Sequence, residues 1–129
     1  MSGAGSLPIL LVEPSTLTGS IIVATARQLV LPSVRQVASI RMAQQRLAAQ
    51  EFSALIVSLD EHVDAVALME QVRAGQYALR ADAPIAVTSS QVDASTAVQM
   101  KALQVRRVLL KPFKVRDVIA TIQMLQNAD

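Results

Sequence analysis

The sequence predicts an α/β fold, a parallel sheet covered by helices on both faces. Five short apolar runs alternate with five segments of helical period. The runs are mostly unbroken Val, Ile, Leu and Ala rather than alternating polar and apolar, the pattern of strands buried on both sides. The connections are short, and no internal repeat, linker or low-complexity stretch divides the 129 residues, so residues 1–129 are expected to form one domain with its core at about 7–126.

Ile9-Leu10-Leu11-Val12 is the first strand, ending at Glu13-Pro14, where Pro14 biases Glu13 towards extended backbone and Ser15 or Thr16 can cap the next element. Leu17, Ile21, Ala24 and Ile22, Ala26, Leu29 predict a helix buried on a wide face and stopped by Pro32. Val34 to Val37 is a short second strand. Ile40, Ala43 and Leu47 come next with helical spacing, leaving Gln44, Gln45 and Arg46 outside. The third strand, residues 54–58, ends on Ser58 before the acidic pair Asp60-Glu61. Ala65, Leu68, Met69 and Val72 predict a third helix ending near Gly75. Pro84 to Val87 opens a fourth strand running into Thr88-Ser89-Ser90. The helix from about Asp93 to Leu103 has few apolar residues (Ala97, Met100, Leu103) and is expected to be exposed over much of its surface. Val108-Leu109-Leu110 is the fifth strand, broken by Lys111-Pro112. Val115, Val118, Ile119, Ile122 and Leu125 make the clearest amphipathic helix.

Composition narrows the function classes. With 52% hydrophobic and 17% charged residues the chain is no disordered segment, and without cysteine neither a disulfide framework nor a thiolate metal site exists. The aromatics are Phe52, Tyr77 and Phe113, too few to stack nucleic-acid bases. Met1 to Ser6 carries no basic residue ahead of the apolar run, and Pro8 to Val12 is too short for a signal peptide or membrane span, so a cytoplasmic protein is expected. Net charge is +2, but residues 101–116 hold six bases and no acid. That segment reads either as a solvated helix face or as a docking surface for an acidic partner.

Three segments together carry a resemblance. Leu109-Leu110-Lys111-Pro112-Phe113 closes the fifth strand, Ile9-Leu10-Leu11-Val12-Glu13 the first, and Pro84-Ile85-Ala86-Val87-Thr88-Ser89 the fourth. With all five strands in register, the chain resembles the receiver domain of bacterial two-component response regulators from about Leu7 to Gln126. The resemblance implies a flavodoxin-like fold, a five-stranded parallel sheet of order 2-1-3-4-5 with five helices on both faces. It also implies a cis bond at Lys111-Pro112. In that family a histidine kinase passes a phosphoryl group to an Asp ending the third strand, and two acids after the first strand hold Mg²⁺. A Thr or Ser after the fourth strand and the Lys of the fifth bind the phosphoryl oxygens.

Here that pocket is degenerate. Ser58 falls on the acceptor position, Glu13 matches the first acid, Pro14 replaces the second, Ser89 fits the Thr/Ser position and Lys111 is intact. A serine hydroxyl is not ionised at neutral pH and has no evident base beside it, so it cannot replace a carboxylate nucleophile. Pro14 supplies no oxygen to a cation that wants near-octahedral oxygen ligands. Asp60 and Glu13 are the weak candidates for a displaced cation site. The preferred reading has no metal, with Lys111 neutralising Glu13 or Asp60 while Pro112 sets the turn. His62 reads as an exposed loop residue, Thr88 as facing a helix, and Ser89 or Ser90 as a helix cap.

The expectation is thus an atypical, phosphorylation-independent receiver, not an enzyme, serving as a signalling protein interaction module without cofactor. Its partner is a protein, acidic or a second copy, met through the fourth helix, fifth strand and fifth helix, where Lys101, Arg106, Arg107, Lys114 and Arg116 lie. Neither nucleic acid nor membrane is an expected partner. The alternative is a phosphoacceptor with a displaced metal and phosphoryl site built on Asp60 and Glu13. A small-molecule site or hydrolase ranks last, since none of the four glycines makes a phosphate-cradling loop.

Overall fold

In the computed structural model, which describes residues 7–127, the strands are β1 (Ile9–Val12), β2 (Val34–Val37), β3 (Ala54–Ser58), β4 (Ile85–Ser89) and β5 (Arg107–Leu110). All pairs are parallel and the order is β2-β1-β3-β4-β5, as the resemblance implies. The helices are α1 (Thr16–Gln28), α2 (Ile40–Ala49), α3 (His62–Arg73), α4 (Ala94–Ala102) and α5 (Val115–Asn127). The segment Met1 to Ser6, on which the expectation of no signal peptide rests, lies outside the described residues. Among the described residues no helix is long and apolar enough to cross a membrane.

Alternation along each strand sorts the core into two layers. Leu10, Val12, Leu55, Val57, Ile85 and Val87 face α2, α3 and α4, meeting Ala43, Leu47, Leu68, Met69, Val72 and Met100. Ile9, Leu11, Ile56, Ala86 and Leu109 face the other way, onto Ile22 and Ala26 of α1 and Val118, Ile122 and Leu125 of α5. The central strands are therefore apolar on both faces, which is why they read as continuous runs.

Several boundaries and faces differ from expectation. The wide buried face of α1 narrows to Gly19, Ile22, Thr25 and Ala26, while Leu17 is 74% exposed and Leu29 is 49% exposed. α1 shares its layer with α5, so only the stripe that meets β2 and α5 is covered. β4 continues through Thr88 and Ser89, and β5 begins at Arg107. α3 starts at His62, after one 3-10 turn at Leu59–Glu61, so His62 belongs to a helix and not to a loop. In α4 Met100 is buried and Ala97 exposed, and Leu103, expected inside the helix, is its half-buried cap.

Three helices end in the same backbone device, a left-handed residue just past the cap. Gly75 (φ 77°) follows α3, Gln104 (φ 59°) follows α4 and Val30 (φ 55°) follows α1. After α1 the bonds Val30 N to Arg27 O and Leu31 N to Ala26 O close the turn. A β-branched residue is strained in this region, and Val30, 93% exposed, gains nothing from burial in return. Val30→Gly is expected to raise stability by about 1 kcal/mol, read as a higher urea midpoint with an unchanged slope.

Candidate functional site

Strand order reverses between β1 and β3, and their carboxyl ends open the crevice where ligands bind in sheets of this kind. Glu13 is the first residue beyond β1. Its N–H bonds Val37 O (3.0 Å), and its carbonyl accepts from Gln36 Nε2 (3.1 Å). The carboxylate is fully buried, so it needs partners for both oxygens. Oε1 meets Lys111 Nζ at 3.1 Å and accepts from Thr88 Oγ1 at 3.3 Å; Oε2 accepts from Ser15 N at 3.0 Å.

Lys111 arrives from the end of β5, where its N–H bonds Ser89 O (2.8 Å) ahead of the cis Lys111-Pro112 bond. Its ammonium lies 3.5 Å from Asp60 Oδ2 as well, so it bridges both carboxylates that the sequence offered as alternatives. Asp60 stands on the 3-10 turn after β3 with its side chain 45% exposed. Ser58 is buried, and its Oγ accepts from Asp60 N at 3.2 Å, tying off that turn. Pro14 is exposed beside the cluster.

Thr88 is fully buried on the side of the sheet that Ala86 shares, the side covered by α1 and α5. The β3–β4 register pairs it with Ser58 at the carboxyl end of the sheet, where its hydroxyl reaches Glu13, a contact the sequence did not suggest. Ser89, the position matched to the family's hydroxyl, is spent on its own turn: Oγ donates to Gln91 O at 2.6 Å and accepts from Gln91 N at 3.3 Å. Helix α4 is capped by Asp93 instead, whose carboxylate accepts from Thr96 N at 2.8 Å. That bond holds the Asp93 carboxyl below its ordinary 3.8.

Beside the cluster lies a polar cavity of about 330 Å³ lined by Asp60, His62, Ser89, Asp93 and Thr96 among others. His62 Nε2 lies 2.8 Å from Gln99 Oε1, fastening the start of α3 to α4. Among the described residues no three or more His, Cys, Asp or Glu side chains group as a metal site, and no buried side-chain polar atom lacks a hydrogen-bond partner. The donor set does not fit Mg²⁺: Pro14 brings no oxygen, and the Glu13 carboxylate already meets an ammonium, a hydroxyl and a backbone N–H.

Arg73, in the last turn of α3, carries no signal in the sequence that marks it as more than a surface cation. Its guanidinium donates to Leu103 O (2.8 Å), Ala81 O (2.8 Å), Ala83 O (2.7 Å) and Gln104 O (3.3 Å). Burial, followed by the repulsion of Arg106, lowers its pKa from the ordinary arginine value, and it remains a cation. It joins the end of α3, the end of α4 and the approach to β4 at the amino ends of β4 and β5, the opposite end of the sheet from the crevice.

No family model matches the sequence, and no curated protein matches it. Solved structures do. A response regulator receiver protein from Pseudomonas putida is 20% identical, with a TM-score of 0.79 over 92% of this chain and 97% of that one. A response regulator from Thermotoga maritima is 15% identical, with a TM-score of 0.78 over 95% and 99%. A signal receiver domain from Clostridium thermocellum is 9% identical, with a TM-score of 0.81 over 94% and 98%. The chain therefore has the flavodoxin-like fold of receiver domains, and at these identities the likeness is one of fold.

Proposed function

We propose that this domain is an atypical receiver that signals from the cytoplasm by protein–protein contact and without phosphorylation. The observation that carries this reading is the closure of the crevice on itself. Ser58 occupies the acceptor position with its hydroxyl bound to Asp60 N, and the ammonium of Lys111 is held between Glu13 and Asp60. Phosphoryl transfer is positioning and charge neutralisation around an ionised nucleophile, and here the acceptor position holds an un-ionised hydroxyl while the one ammonium is already shared between two carboxylates.

The surface for a partner is the one formed by α4, β5 and α5. Lys101, Arg106, Lys114 and Arg116 are exposed there and Arg107 is half-buried. The same elements expose Val98, Leu110 and Val115, so cations surround apolar side chains, a mixture suited to an acidic protein or to an acidic patch on a second copy.

Titration with Mg²⁺ and beryllofluoride, a phosphoryl mimic, tests the reading against the alternative in which Asp60 and Glu13 form a displaced phosphoryl site. The amide resonances of Ser58, Asp60, Ser89 and Lys111 are expected to stay in place. Saturable shifts at those four residues favour the alternative.

A further inference from the structure

Strand β2 is an edge of the sheet, and a groove of about 530 Å³ runs along it between α1 and α2. Arg27 from the last turn of α1, Arg35 from the middle of β2 and Arg46 from the last turn of α2 line this groove, and all three are exposed. Among the described residues none of them has an acid within ion-pair distance. Residues 14–50 contain four arginines and no acid at all, so nothing local neutralises the groove. Helix dipoles favour a cation at the carboxyl end of a helix, which accounts for Arg27 and Arg46 in their last turns, but not for Arg35.

Val23, Ala24 and Val34 line the groove as well, beside Ser20 and Gln36, and it runs along the outer edge of β2. Ile9 N bonds Ser33 O and Glu13 N bonds Val37 O, so the odd residues of β2 face β1. The N–H and C=O groups of Val34 and Gln36 accordingly point outward, free to pair with another strand. We propose that the β2 edge is a second docking site, independent of the α4, β5 and α5 face, which takes an extended acidic segment of a partner protein by strand addition. Such a segment places alternate side chains on the two faces of the sheet, one set towards Arg27 on α1 and the other towards Arg35 and Arg46. Nucleic acid is the poorer occupant, because Phe52, Tyr77 and Phe113 lie outside the groove and no aromatic is present to stack a base.

The test uses a labelled peptide of alternating Glu and Val and a second peptide of equal charge with Pro in place of Val, followed at low salt by fluorescence anisotropy and amide shifts. The first peptide is expected to bind saturably with its largest shifts at Val34 and Gln36, and the Pro peptide about tenfold more weakly because it lacks the N–H groups. The double variant R27E/R35E, checked for an unchanged melting curve, is expected to weaken the first peptide about tenfold or more. Equal binding of both peptides, shifts confined to Lys101 through Arg116, tighter binding of oligothymidylate at β2, or no saturable binding overturns the proposal.

Discussion

Arg73→Ala is expected to destabilise the domain by about 3 kcal/mol, lowering the melting temperature by about 10 °C. The four carbonyls it serves belong to segments far apart in sequence, 81–83 and 103–104, and among the described residues no other side chain donates to them. A charged donor contributes more per bond than a neutral one, and the acceptors it leaves behind, Ala83 O above all, lose their partners in a buried setting. Arg73→Lys keeps the charge but loses the planar fork, so it is expected to recover less than half of the loss. Arg80 is the control. Its contact with Asp82, at 3.5 Å, joins two exposed side chains, and Arg80→Ala is expected to change stability by less than about 0.5 kcal/mol. Thermal melts followed by circular dichroism separate the three variants.

The second large effect is at the crevice. Lys111→Met removes the cation facing a fully buried Glu13 and is expected to cost about 3 kcal/mol, since the hydroxyl of Thr88 and the N–H of Ser15 do not neutralise a carboxylate. The double variant E13Q/K111M is expected to regain about half of that, because the uncompensated charge is gone. Asp60→Ala should cost less than about 1 kcal/mol, its carboxylate being nearly half exposed. Urea denaturation of the wild type, E13Q, K111M and E13Q/K111M gives the coupling energy directly. A coupling near zero between Glu13 and Lys111 would show that the pair does not hold the crevice together.

The strands of this fold were legible because β1 and β3 are apolar on every residue or nearly so, and a run of that kind has few other uses in a chain this size. The pairing of Lys111 with an acid was legible as well, since a lysine at a strand end with two acids at neighbouring strand ends has little choice. Thr88 was not. Two adjacent hydroxyls differ only in which face of the sheet they take, and the pairing register of β3 with β4 decides that. Arg73 bonds only to backbone carbonyls, which carry no residue signature, and nothing in its own surroundings in the chain marks it out. The arginines of the β2 edge are dilute in sequence, and they meet in one groove only after α1, β2 and α2 are brought together. Helix α1 misled for the opposite reason: its apolar residues outnumber the positions its layer can cover, leaving Leu17 and Leu29 on the outside.

Whether the crevice accepts a phosphoryl group is measured most directly by incubating the full chain with acetyl phosphate and Mg²⁺ and recording its intact mass. A single unmodified species is expected for the wild type and for Asp60→Asn alike. A phosphorylated species that is lost on mild alkaline treatment, and that is missing from Asp60→Asn, would contradict a receiver working without phosphorylation and place the phosphoryl group on Asp60.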